Sequence, residues 1–346
     1  MNFFIFLNEA SSLFMRVSQD HTHSTLFIKI NKFYEYCFQR GFRILVLISG
    51  IILFSFCNPA AENEDLMEDV HDYYHLESPD ARYVMPEYLK EISGLSYYGK
   101  GKLACIQDEN ANIYVWNLEK QKIIDTYEFG KDADYEDIAV VNKTAYIIRN
   151  NGTIYRVSNF KKKDRNVQIY KTPLKGKNNT EGLAYDPLTN SLLVACKGSP
   201  SIDGENSYEG RKAIYKFDLE EEELITEPYF LIDLEHLGSY IDQSVFTRFS
   251  VGIAKRLHLI ESETSFQPSG LAIHPLYGDI YIISSVGKLL VILNRKGMVL
   301  DVKELDPNEF RQPEGICFSP SGDMFISSEG QGGKGYILEF ELHEKE

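Results

Sequence analysis

Five short segments of this chain align with one another, and their repetition restricts the fold more than any other feature. They are EISGLSYY from Glu91, YEDIAVV from Tyr135, TEGLAYDP from Thr180, PSGLAIHP from Pro268 and PEGICFSP from Pro313. The residues before the shared Gly or Asp are Ser93, Glu136, Glu181, Ser269 and Glu314, at successive spacings of 43, 45, 88 and 45. Each segment is followed by a second β-rich run (KLACIQDE, TAYIIRN, SLLVACKG, DIYIISSV, DMFISSEG) and then by third and fourth runs such as NIYVWNL and KIIDTYEF. Four strands of about seven residues with Gly, Asn and Asp turns, recurring every ~40–45 residues, predict the blades of a β-propeller.

The interval of 88 sets the blade count. The polar stretch KGSPSIDGENSYEGR delays the third strand of that repeat, and Glu235–Glu261 leave only 27 residues before the next motif. That is too little for four strands, and its apolar spacing is partly helical. An all-β, five-bladed propeller is therefore expected; a degenerate blade in the interval would make six. After YILEFELH the last repeat is one strand short, and Arg82–Met85, stopped by Pro86, can complete it from the amino-terminal side. Such closure covers an otherwise open sheet edge.

The expected domains are a targeting segment at 1–57, an acidic tether at 58–80 and the propeller at 81–346. Arg40 and Arg43 precede a 13-residue apolar run, Ile44 to Phe56, that ends at Cys57. A bilayer span needs about 20 residues, so the run fits the apolar core of a secretory signal. Ending on cysteine, it resembles a bacterial lipoprotein signal, which implies lipidation at Cys57. Phe56 departs from the small residue such signals carry, so a plain cleaved signal or an uncleaved anchor stays open. The 39 residues before Arg40 are long for a signal's basic region and suggest an upstream start codon. An extracytoplasmic, membrane-anchored protein of a bacterium is expected.

Net charge excludes one class of partner. The chain carries −15 overall and −17 beyond Cys57, a surface that repels nucleic-acid phosphates. Of the five cysteines, Cys105, Cys196 and Cys317 sit in strand-like runs without CxxC spacing and are expected as buried free thiols. A monomer is expected. KKKDR from Lys161 and EEEE from Glu220 read as solvated turns, and Trp116 as blade core.

The order EISGLS, QDE, YEDIA, TEGLA, PSGLA and PEG…SSEG resembles the bacterial SdiA-regulated (YjiK-like) propeller family, and the last two units resemble NHL repeats. The resemblance covers about residues 82–342. It implies an extracytoplasmic propeller, in some members linked to calcium, with no assigned chemistry.

In a propeller the start of each blade's first strand faces the central channel. Ser93, Glu136, Glu181, Ser269 and Glu314 should therefore share one mouth. The loops after the second strands should add a rim containing Asp108, Glu109, Arg149, Lys197, Ser285 and Glu329. Three carboxylates about 6 Å apart at an effective dielectric near 20 repel by roughly 3 kcal/mol per pair. One resolution is an axial Ca²⁺ held by Glu136, Glu181 and Glu314, completed by serine hydroxyls, carbonyls and water. A second is an ion network in which Arg149 and Lys197 reach inward; a third is purely steric, with Gly permitting strands to crowd. The functional expectation is a binding module for a small ligand or protein at the rim. The alternative is a calcium-dependent phosphoesterase or lactonase with Glu109 or Glu329 as base. No GxSxG, HExxH or Ser/His/Asp set supports the latter.

Overall fold

The first strand of each blade is buried along most of its length, whereas the outermost strand is largely half-buried or exposed. Such a sheet buries its inner edge on both faces and meets water at its outer edge. The computed structural model, which describes residues 73–203, 208–238, 240 and 266–343, has this arrangement five times over. A strand β1 (Ala81–Val84) precedes the first full blade, made of β2 (Ile92–Tyr97), β3 (Lys102–Gln107), β4 (Asn112–Asn117) and β5 (Lys122–Glu128). The second blade is β6 (Tyr135–Val141), β7 (Thr144–Arg149), β8 (Thr153–Ser158) and β9 (Asn166–Lys171). The third is β10 (Thr180–Asp186), β11 (Ser191–Cys196), β12 (Arg211–Asp218) and β13 (Glu223–Asp233). The fourth is β14 (Gln267–Ile273), β15 (Ile280–Val286), β16 (Leu289–Leu293) and β17 (Val299–Glu304). The fifth holds β18 (Pro313–Phe318), β19 (Met324–Ser328) and β20 (Tyr336–Phe340), and β1 pairs antiparallel with β20 as its outer strand.

The fold is thus an all-β, five-bladed propeller closed by an amino-terminal strand. The first strands of successive blades pack on one another around the ring, and β18 packs on β2. Each gap between blades holds its own apolar cluster: Ile106 with Ile147, Leu183 with Tyr146, Leu271 with Ile214, Ile316 with Tyr281, and Leu95 with Phe325. Trp116 belongs to the cluster that joins the fifth blade to the first and meets Tyr83 of β1 edge-on. Cys105, Cys196 and Cys317 are buried and free. Burial pushes the Cys105 and Cys196 thiols up to about 12.

Part of the segment expected as tether belongs to the propeller. Tyr74 is buried, and Tyr73 stacks on Tyr277 with ring centroids 4.6 Å apart. His274 accepts at Nδ1 from the amides of Leu276 and Tyr277, so its Nε2 carries the proton and donates to the Tyr74 hydroxyl at 2.8 Å. Tyr74 in turn donates to the Gly322 carbonyl at 2.5 Å. Acidic composition marks residues 58–80 as solvated, yet the two tyrosines among those acids supply enough apolar area to dock. Tyr74→Phe should cost about 1–2 kcal/mol, because it strips partners from the buried His274 N–H and Gly322 carbonyl. Urea titration of the variant against wild type reads that loss as a lower midpoint.

The targeting segment 1–57 with Cys57, and the tether up to residue 72, lie outside the described residues. Most of the 235–261 insertion does too. Its start is helical over residues 234–238, where Leu237 is buried beside Phe266, and the Tyr240 hydroxyl donates to the Val299 carbonyl at 3.1 Å. No helix among the described residues is long and apolar enough to cross a membrane.

Candidate functional site

The five motif residues occupy the same irregularity. In every blade the pairing of the first and second strands slips at this point, so the motif residue sits in a β-bulge. A bulge frees a residue from the ladder and re-aims its side chain. What the side chain then does depends on its chemistry.

The two serines turn sideways. The Ser93 hydroxyl donates to the Glu136 carbonyl of the next blade, and Ser269 donates to the Pro313 carbonyl at 2.7 Å. Ser327 donates to the Ser93 carbonyl at 2.6 Å, and the Val140 amide donates to Ser96 Oγ at 3.0 Å. First strands of neighbouring blades share no ladder, so these hydroxyls satisfy backbone groups facing the gaps. Ser93 and Ser269 are therefore staples between blades.

The three glutamates converge. Glu136 is held up to about 8 by burial and by the Glu181 charge, and Glu314 up to about 8 by the same two causes. Lys197, following β11, reaches in and donates from Nζ to Glu181 Oε2 at 2.9 Å, while Asn179 Nδ2 donates to Glu181 Oε1 at 2.8 Å. The Lys197 charge also acts on Glu136 and Glu314. Burial raises the Glu181 carboxyl, with Lys197 pulling against it.

The rim adds further acids. Glu329 is raised to about 7 by burial and by Asp108 and Glu91. Asp108 is raised to about 6 by burial and by Glu91 and Glu109, and its Oδ1 is buried without a hydrogen-bond partner. Glu109 is exposed. Arg149 acts on Tyr135, and its Nε is buried without a hydrogen-bond partner. Ser285 is buried; its amide donates to Ser269 Oγ and its carbonyl accepts from Lys288 Nζ at 2.5 Å. Lys288 lies near enough to Glu314 for the two charges to act on each other.

Sequence reasoning passed over Asp137, which stands where the other four repeats have glycine. It is 1% exposed, and its carboxylate accepts from the amides of Ile138 at 2.8 Å and Leu183 at 2.7 Å. It thereby ties the second blade to the third. Room for it comes from Gly94, where a Cβ would stand 2.2 Å from Asp137 Oδ1 and 2.5 Å from its Cα. The lone Asp in a glycine column was the available signal. Asn179 and Glu91, flanking the motifs, were likewise passed over.

This donor set does not fit an axial Ca²⁺. A hard ion of that kind takes six to eight oxygens, whereas both Glu181 oxygens are engaged by nitrogen donors and the serines face away. Among the described residues no group of three or more His, Cys, Asp or Glu side chains is close enough to hold a metal ion. The arrangement is that of an ion network: carboxyls sharing a low-dielectric mouth, with a lysine where the cation was expected.

No curated protein matches the sequence. Among solved structures, the chain is similar to a PQQ-bound aldose sugar dehydrogenase from Streptomyces coelicolor, with 12% identity, 77% of this chain and 98% of that one covered, and a TM-score of 0.45. It is similar to virginiamycin B lyase from Staphylococcus aureus at 12% identity, with 75% and 69% covered and a TM-score of 0.40. The WD40 β-propeller domain of Doa1 gives 14% identity, 72% and 63% covered, and a TM-score of 0.39. These distant likenesses carry nothing about chemistry. The model of the SdiA-regulated family matches residues 72–244, half of the chain and the first three blades. This propeller belongs to the SdiA-regulated family.

Proposed function

We propose that the protein is an extracytoplasmic, membrane-tethered binding module that takes a cationic group at the carboxyl-lined mouth of its channel. The tether and its location rest on the basic-flanked apolar run that ends at Cys57. The observation that carries the binding reading is the convergence of Glu136, Glu181, Glu314, Glu329, Asp108 and Glu91 on one mouth. Among the described residues the basic groups that act there include Lys197, Lys288 and Lys90, whose Nζ lies 3.5 Å from Glu91 Oε1. Carboxyls held near 7 and 8 are costly to ionise alone and become cheap to ionise beside a positive charge. A cationic ligand binds the deprotonated form and releases protons as it does so.

Affinity should therefore rise with pH. For the full chain titrated with spermidine by calorimetry, binding should tighten at least about tenfold between roughly pH 6 and pH 8.5. Glu181→Gln should weaken it at the higher pH. Affinity that is flat across that range, or indifferent to Glu181→Gln, contradicts the reading.

A further inference from the structure

The channel has a second mouth of opposite character. The motif residues open the first strands on one face of the ring, and the same five strands end on the other face. There a cavity of about 660 Å³ is lined by all five strand ends, a volume within the ~300–1,000 Å³ of small-molecule sites. Its floor is written into the repeat. Three places after each motif residue stands a small side chain (Ser96, Ala139, Ala184, Ala272 or Cys317), and the residue before each is leucine or isoleucine. Larger side chains at those five positions would fill the space. The rim is apolar and open to solvent: Leu188 is 76%, Leu276 55% and Tyr277 43% exposed, and all three line the cavity.

The charged groups in its wall cancel. Arg295 Nη2 meets Asp186 Oδ2 at 2.5 Å, and His274 has both ring nitrogens engaged, as described above. Ser96 accepts from Val140, Ser319 donates to Asp323 at 2.8 Å, and the Tyr97 hydroxyl accepts from Gly101 at 3.1 Å. The wall therefore offers one ion pair, polar groups engaged with their neighbours apart from Arg295 Nη1, a buried donor without a hydrogen-bond partner, and apolar surface. That surface favours a molecule without net charge, because one neutral acceptor suffices for the Arg295 donor, whereas an ion would lose hydration that a single N–H cannot replace.

We infer that this face binds a neutral, apolar, drug-sized molecule, in a site separate from the acidic mouth and independent of what that mouth takes. The test is a fluorescence titration of the full chain with N-phenyl-1-naphthylamine, a neutral dye that brightens in apolar surroundings. One saturable site per chain is expected. The rim variants Leu188→Asp and Leu276→Asp, exposed and so harmless to packing, should weaken it about tenfold each. Ala272→Phe, which fills the floor, should abolish the saturable phase, with circular dichroism reporting that the sheets persist. Glu181→Gln should leave dye affinity unchanged, which separates failure here from failure at the acidic mouth. Brightening that never saturates, or that is equal in wild type and both rim variants, overturns the inference; dye held by the apolar run Ile44 to Phe56 would give that second result.

Discussion

Asp137→Ala should lower the stability of the protein by about 2–5 kcal/mol, the largest effect of a single side chain at the axis. Its carboxylate is the acceptor for two buried amides, Ile138 and Leu183, the second of which belongs to the next blade. Removing it orphans both, and each orphaned amide costs roughly 1–3 kcal/mol. Burial raises the Asp137 carboxyl well above its ordinary range, yet a protonated carboxyl still has lone pairs for those amides. Asp137→Asn separates charge from geometry. It keeps one acceptor oxygen and sets an NH₂ group against the other amide, so it should cost about half as much. Denaturant midpoints of the two variants should rank wild type, then Asn, then Ala; an Ala variant within about 0.5 kcal/mol of wild type would remove the tie between blades from the account.

The second large effect is a fall in stability with alkalinity. Glu136 and Glu314 near 8, Glu329 near 7 and Asp108 near 6 each hold a proton more tightly in the folded chain than in the unfolded one. Between the two values the folded state binds more protons, so stability is lost as pH rises through the folded values. Going from about pH 6 to about pH 8.5 should cost on the order of 3–5 kcal/mol, allowing for the coupling between these groups. For a domain of this size that lowers the melting temperature by roughly 10 °C. His274 works with the opposite sign: burial lowers it to about 4, so the unfolded chain takes up the extra proton and its own contribution is lost as pH drops below about 6.5. One histidine against four raised carboxyls makes the slope shallower without reversing it, so stability is expected to fall steadily as pH rises from about 5. Glu181→Gln should flatten the alkaline limb, because a charge that raises both Glu136 and Glu314 is gone.

The blades were legible in the sequence because their cause is local. Apolar runs with period two, Gly and Asn turns and an aligned motif recur in each unit, and a missing last strand implies one borrowed from the other end. The meeting of Glu136, Glu181 and Glu314 was legible for the same reason, since identical positions in a closed ring must share an axis. The roles within the ring were harder to read. Ser93 and Ser269 align with the glutamates, yet a short hydroxyl reaches the adjacent strand's carbonyl before it reaches the axis. Asp137 works across a gap between blades, and no pattern within one repeat describes that gap. Tyr74 was hidden by its acidic neighbours, because average composition does not register a single buried ring. Lys197 could be named as a neutraliser, but its contact with Glu181 depends on a loop path that periodicity does not specify.

Three glutamates distant in sequence feel one another's charge at the mouth of the channel. Side-chain carboxyl ¹³C shifts of the full chain, followed from about pH 4 to about pH 10 in wild type and Glu181→Gln, measure this most directly. Glu136 and Glu314 should titrate near 8 in wild type and both move down in the variant, which loses a like charge and frees Lys197 to face them. Ordinary titration near 4.5 for either residue in wild type, or midpoints that ignore the substitution, would mean that these side chains do not share a mouth.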